Sequence, residues 1–328
     1  MRICLVTPAP AHSYHGNRVT AVRWADILRG QGHEVAVAQD YHDQPADLLV
    51  ALHARRSAES LRRFRARHAD APVVLALTGT DLYPELTEAD QSVLQLADRL
   101  VVLQRLGVRQ LPAELRARAR VVYQSAPPLP SAPPPSHDHF DVVLLAHLRP
   151  VKDPLLAAAA ARLLPAGSRV RIRHAGTVID RELGERAARE NRDNPGYRWV
   201  GELPRSEALR LLAGSRLLLL TSRHEGGANT ISEALAAGVP VLSTRIPGTV
   251  GILGADYPGY FPVGDPARLA QLLVHAETDE DWYQKLHHQC TALRTLVAPE
   301  RERESWQQLL AELAPPRSTG KPTGPSCL

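Results

Sequence analysis

Short apolar runs alternate with polar or amphipathic stretches of helical length along most of this chain. Runs at 3–7, 34–38, 48–52, 73–77, 100–103 and 120–123 have the length and composition of buried strands. Between the first two, residues 17–29 space Val19, Val22, Ile27 and Leu28 so that they are available to face a core, and Gly32 ends that helix. A repeat of strand and helix, joined by right-handed crossovers, predicts a parallel, doubly wound sheet.

The alternation then stops. Residues 125–136 hold so many prolines that neither a helix nor a central strand can form there, and the stretch reads as an extended, semi-rigid linker. After it the pattern restarts, with strands expected at 140–146, 169–174, 198–200, 217–221 and 239–243 and helices at 154–164, 180–191, 205–213, 230–237 and 266–276. Two further helices are expected near 281–297 and 300–313. The division that follows is an α/β domain over 1–123, a linker over 124–138, a second α/β domain over 139–298, a helix over 299–314, and a disordered tail over 315–328 rich in Pro, Gly, Ser and Thr. Two doubly wound, Rossmann-like domains joined by a proline hinge face each other across a cleft.

Composition narrows the function classes. The chain has 328 residues, enough for a sizeable core in each domain, and its 44% hydrophobic and 23% charged residues are ordinary for a globular protein. The net charge of +4 is mild, its arginines are scattered along helix faces, and aromatics make up only 5%, which argues against base stacking on nucleic acid. Cys4, Cys290 and Cys327 form neither a metal-ligand spacing nor a disulfide framework. The first residues read as a strand rather than a signal segment, and no apolar run reaches membrane-spanning length, so a cytoplasmic protein acting on small molecules, as a monomer or homodimer, is expected.

The chemistry concentrates at 221–233, Thr-Ser-Arg-His-Glu-Gly-Gly-Ala-Asn-Thr-Ile-Ser-Glu. Here the carboxyl end of a buried strand feeds a helix N-terminus, where free N–H groups and the helix dipole favour a phosphate. Glu225 and Glu233, eight positions apart, are acceptors suited to sugar or ribose hydroxyls beside it. Thr230 to Glu233 also fits a capping box, but a cap does not need Gly226 and Gly227, which let backbone approach something closely. Arg149 and Lys152 leave the first strand of the second domain on the same sheet edge, where two cations would stabilise a departing diphosphate.

In the first domain, the loop after strand one ends in His15-Gly16-Asn17-Arg18 and lacks the Gly-x-Gly-x-x-Gly of a dinucleotide site. Two more strand ends, carrying His53 with Arg55 and Thr80 with Asp81, converge on this edge and offer groups suited to an anionic acceptor. Asp279-Glu280-Asp281 reads as an acidic helix start rather than a metal site.

Arg149-x-x-Lys152, His224-Glu225-Gly226-Gly227, and Glu233 followed by Ala-Leu-Ala-Ala-Gly-Val-Pro-Val together resemble the family-4 glycosyltransferases of GT-B fold. The resemblance implies that Arg149 and Lys152 meet the donor diphosphate and that Glu233 meets the ribose diol. It implies that Glu225 and its glycines lie by the donor sugar, with Asn229 and Thr230 offering backbone at the phosphate. Catalysis is then expected to rest on Arg149, Lys152 and Glu225, to retain anomeric configuration, and to need no metal or other cofactor. The last helix of such enzymes crosses back to the first domain.

A narrower likeness extends over nearly the whole chain to about residue 313. His15 to Ala21, Leu52 to Ser57, Leu77 to Tyr83 and Asp256 to Phe261 are similar to the selenosugar synthases of selenoneine biosynthesis. That likeness implies transfer from a UDP-sugar, UDP-N-acetylglucosamine foremost, to selenophosphate, giving a 1-selenosugar. The expected acceptor residues are Gly16, Asn17, Arg18, His53, Arg55, Thr80 and Asp81. Two other readings remain open on sequence grounds: an ordinary family-4 enzyme acting on a hydroxyl, and a two-lobed solute-binding protein.

Overall fold

The computed structural model describes residues 1–313 except Tyr14, Pro84, Pro128 and 130–137. The middle of the expected linker and the expected tail lie outside the described residues.

Twelve strands form two parallel six-stranded sheets among the described residues. The first sheet holds β1 (Arg2–Val6), β2 (Glu34–Ala38), β3 (Leu48–Leu52), β4 (Val73–Leu77), β5 (Arg99–Val102) and β6 (Ala119–Val121), in the order β2-β1-β3-β4-β5-β6. The second holds β7 (Phe140–Leu145), β8 (Val170–Ala175), β9 (Tyr197–Gly201), β10 (Leu217–Leu220), β11 (Val241–Thr244) and β12 (Tyr260–Phe261), in the order β12-β11-β10-β7-β8-β9. β3, β4 and β10 are buried along their whole length, as strands covered by helices on both faces must be. Each sheet reverses its winding once, beside β1 in the first and between β7 and β10 in the second. Loops at such switch points open outward and leave a crevice at the strands' carboxyl ends. This is the two-domain GT-B architecture.

The helices are α1 (Gly16–Gly30), α2 (Ala54–Arg67), α3 (Glu88–Leu94), α4 (Gly107–Gln110), α5 (Leu155–Ala161), α6 (Arg181–Asp193), α7 (Arg205–Ala213), α8 (Asn229–Ala237), α9 (Pro247–Leu253), α10 (Pro266–Thr278), α11 (Glu280–Ala292) and α12 (Pro299–Leu313). α2 turns Ser57, Ser60, Leu61 and Phe64 inward at helical spacing and leaves its arginines outside. α1 buries Thr20, Ala21, Trp24, Ala25 and Leu28, so its inner face runs through Trp24, and Val22 is exposed rather than facing a core. The large indole decides the helix's rotation over the smaller valine. The helix expected over 281–297 is broken: α11 ends at Ala292 and a 3-10 turn, Arg294–Val297, follows. Asp279 caps α11 by accepting from the Trp282 N–H at 2.9 Å.

α12 packs back on α1 of the first domain. Trp24 and Trp306 meet edge to face with ring centroids 4.8 Å apart, and Trp306, Leu309 and Leu310 complete the first domain's core. Beneath them Glu302 is buried, with Arg23 Nε at 2.8 Å and Trp24 Nε1 at 2.7 Å donating to it. The Ser125 backbone N–H donates to the same carboxylate at 3.0 Å.

Candidate functional site

Loops from both sheets line one cavity of about 250 Å³ at the facing carboxyl edges. On the second-domain side, the 3-10 turn Pro150–Lys152 and the β10–α8 loop are held together by hydrogen bonds. Arg223 N–H donates to Val151 O at 2.9 Å and Thr221 Oγ1 to Lys152 O at 2.8 Å. Lys152 Nζ lies 2.5 Å from Glu225 Oε1, to which Ser222 Oγ also donates at 2.7 Å. Lys152 therefore pairs with Glu225, while Asp153, its neighbour, binds Arg223 at 2.7 Å.

Arg149 is half-buried at the cavity wall and has no carboxylate within salt-bridge distance among the described residues. Its Nε is buried without a hydrogen-bond partner there. Burial pushes the guanidinium's pKa down, with Glu225 opposing and Arg56 reinforcing the shift. A half-buried cation with an unsatisfied donor favours an anionic ligand.

α8 opens at the same wall. Its N-cap is Ala228, with no side-chain cap, so the capping box at Thr230 to Glu233 is not formed and Glu233 sits on the second turn. The reason is that the N-cap falls at Ala228, two residues before Thr230, so Glu233 lies beyond the N3 position a capping box needs. Glu233 is buried and lines the cavity, with Arg205 Nη2 of α7 at 2.7 Å from Oε1. Ala228, Asn229 and Thr230 at the start of α8 line the same cavity, where a helix N-terminus favours an anion.

Of the expected donor residues, Arg149, Lys152, Glu225, Gly227, Asn229, Thr230 and Glu233 line the cavity, and Gly226 does not. The two glycines answer a different need from ligand approach. A Cβ on Gly226 would fall 2.5 Å from the Thr78 carbonyl carbon, and one on Gly227 would fall 2.6 Å from Leu103 Cβ. What comes close is the other domain.

On the first-domain side Gly16, Asn17, His53 and Thr80 line the cavity, but Arg18, Arg55 and Asp81 do not. Arg55 turns away: its Nε and Nη2 bind both oxygens of Asp90 at 2.7 and 2.8 Å, and Nη1 reaches Thr80 O at 2.8 Å. That guanidinium holds the Asp90 carboxyl down at about 2. Asp81 is fully buried and accepts from the N–H groups of Ala54 at 2.9 Å, Thr78 at 2.9 Å and Gly79 at 2.8 Å, fixing the loop rather than meeting a ligand. Arg56, one residue further round α2, lines the cavity instead. One residue of helix turns a side chain through about 100°, which is why neighbouring arginines at a helix start cannot be separated by sequence alone.

His53 caps α2 at φ 72°, a left-handed backbone unusual outside glycine. Its Nδ1 accepts from the Arg56 N–H at 3.4 Å, so Nε2 carries the proton and donates to Thr80 Oγ1 at 3.0 Å. The Thr80 hydroxyl hydrogen is then free for a ligand oxygen. Burial lowers the His53 pKa, as it does that of His15, which also lines the cavity and meets the His147 ring edge-on at 5.4 Å. Arg205 and Arg56 were the residues not foreseen. No set of three or more His, Cys, Asp or Glu side chains among the described residues could hold a metal ion, and none of the helices there is long and apolar enough to cross a membrane.

Residues 130–292 match the profile of the family described as glycosyl transferases group 1. Glycosyltransferase 1 domain-containing protein 1 of Xenopus tropicalis is 27% identical over 173 residues, 52% of this chain, and the match spans about half the length (50%) of that protein. Among solved structures, sucrose-phosphate synthase from Thermosynechococcus elongatus superposes with a TM-score of 0.76 at 14% identity, over 95% of this chain and 98% of that one. Anabaena HepE in complex with UDP and glucose does so with a TM-score of 0.71 at 17% identity, over 95% of this chain and 100% of that one. At such identities these two likenesses concern the fold.

Proposed function

We propose, from the match of residues 130–292 to the profile of glycosyl transferases group 1, that this chain is a glycosyltransferase using a UDP-sugar, UDP-N-acetylglucosamine foremost, and selenophosphate as acceptor. The observation that carries the donor half is the convergence of Arg149, Lys152, Glu225, the α8 N-terminus and Glu233 on one cavity wall. Arg149, which has no salt-bridge partner among the described residues, and the start of α8 suit a diphosphate, Glu233 suits the ribose diol, and Glu225 suits the donor sugar. The UDP-containing complex of HepE, a protein of the same architecture, agrees with this reading.

The acceptor half rests on the opposite wall, where Arg56, the Thr80 hydroxyl and the neutral His53 offer a cation and a hydroxyl donor to a small oxyanion, and on the resemblance of the sequence segments named above to selenosugar synthases. A selenium lone pair forms the C1–Se bond while the C1–O bond to the diphosphate breaks, its electron pair leaving with UDP. Hydrolysis of the Se–P bond by water then releases phosphate and leaves the 1-selenosugar. Such a nucleophile is already anionic and needs little proton abstraction, so positioning and electrostatics dominate. Arg149 and Lys152 supply the positive charge at the leaving group, and no metal is called on.

Kinetics test the donor assignment. Arg149→Ala should lower kcat by about a hundredfold, the cost of losing one preorganised electrostatic donor, while uridine, which lacks phosphates, should bind nearly as well as to the unsubstituted protein. An equal loss of uridine binding would reject Arg149 as the diphosphate's partner.

A further inference from the structure

We propose that Arg205 is a positioning residue for the donor: it keeps Glu233 ionised so that the carboxylate can accept the hydroxyls of a vicinal diol. The inference rests on the donor reading above. Glu233 is buried at 5% exposure on α8 yet lines the cavity, and its Oε1 is 2.7 Å from Arg205 Nη2. Arg205 is the first residue of α7, directly after the β9–α7 turn, and its side chain lines the cavity as well.

A carboxylate withdrawn from water without a cation takes up a proton. A protonated carboxyl then presents an O–H donor on one oxygen and loses the charge-assisted bonds that a diol's two hydroxyls would make. The forces on Glu233 have that form. Burial pushes its pKa up, the charge and hydrogen bond of Arg205 oppose the rise, and Arg23 of α1 adds a weaker opposing field. Elsewhere on α8 the 3-10 turn and α11 pack at its C-terminal half, where Arg294 donates to Ala236 O at 3.1 Å and Cys290 is buried. Among the described residues, Arg205 is therefore the cation in direct contact with the carboxylate.

The donor binds the ionised carboxylate, so affinity falls as pH drops through the Glu233 pKa. Removing Arg205 raises that pKa further and moves the fall toward neutrality, where binding must then expel a proton.

Calorimetric titration with UDP-N-acetylglucosamine, whose diphosphate diester has no group titrating near neutrality, reads this out between pH 6.5 and 9. Repeating it in two buffers of different ionisation enthalpy counts the protons exchanged. The unsubstituted protein should bind with little proton exchange attributable to Glu233. Arg205→Met should bind about tenfold more weakly at pH 7, recover as pH rises, and release a proton on binding. Arg205→Lys should restore the original profile, and in a Glu233→Gln background Arg205→Met should add no pH dependence. A loss in Arg205→Met that is equal at every pH and releases no proton, or no loss at all, overturns the proposal while leaving the donor reading intact. Absence of any binding to the unsubstituted protein overturns both.

Discussion

At the scale of single residues, the first-domain wall turns on two adjacent arginines with opposite fates. Arg56 lines the cavity, whereas Arg55 spends its guanidinium on Asp90, which is only 3% exposed, and on the Thr80 and Glu85 carbonyls. Arg56→Ala is expected to raise the KM for selenophosphate several-fold or more while the donor Kd stays unchanged, because so small an acceptor binds through few contacts. Arg55→Ala should instead destabilise the fold by about 1–3 kcal/mol by leaving a buried carboxylate unpaired, with little effect on KM once the protein is folded. The reverse pattern, measured by steady-state kinetics and thermal unfolding, would return Arg55 to the acceptor. Arg149, Lys152, Glu225 and Glu233 were legible in the sequence because each falls at a fixed distance from a strand end that the hydrophobic pattern locates. Arg205 was not, since nothing local to α7 says that its side chain reaches α8.

At the scale of elements, uniform apolar runs such as β3 and β10 were legible because a strand buried on both faces leaves no other pattern. α4 and α9, of four and seven residues, and the two-residue β12 are shorter than any period can declare. The cap of α8 lies at Ala228, two residues before Thr230, so the capping box does not form and Glu233 pairs with Arg205 instead. The Gly226-Gly227 pair was visible, but its partner lies in the other domain and is a property of docking. Gly226 sits where a Cβ would be 2.5 Å from Thr78 C and 2.6 Å from its oxygen, and Gly79, at φ 146°, is the residue that completes this crossing. Gly226→Ala must push two backbones apart, so it should lower turnover by about tenfold or more, a geometric misplacement of the order known to be costly, while each domain's circular dichroism remains normal. Turnover equal to that of the unsubstituted protein would mean that the observed approach is not needed for catalysis.

At the scale of the whole molecule, α12 ties the two domains into one unit. Glu302 gathers Arg23, Trp24 and Ser125, and Arg23 Nη1 continues to Asn229 Oδ1 at 3.0 Å, on the first residue of α8 in the second domain. Asn229 Nδ2 in turn donates to Gly16 O at 3.3 Å, beside the cavity. Removing one partner of a buried ion pair leaves the other charge uncompensated, so Glu302→Ala should cost about 3–5 kcal/mol of stability, read from urea unfolding. A loss within about 0.5 kcal/mol, the range of ordinary surface substitutions, would show that this junction is not a structural anchor. The two-domain division and the returning helix followed from composition and resemblance. The junction itself did not, because Arg23 and Glu302 are separated by almost the full chain.

The account stands or falls on what is made in the cleft between these domains. Mass spectrometry of the products formed from UDP-N-acetylglucosamine with selenophosphate, thiophosphate, phosphate or a sugar hydroxyl offered in parallel tests it most directly. The proposed activity yields UDP together with a product carrying the selenium isotope pattern at the mass of a 1-selenosugar. Transfer to the sugar hydroxyl with no selenium-bearing product, or no release of UDP with any acceptor, would contradict it.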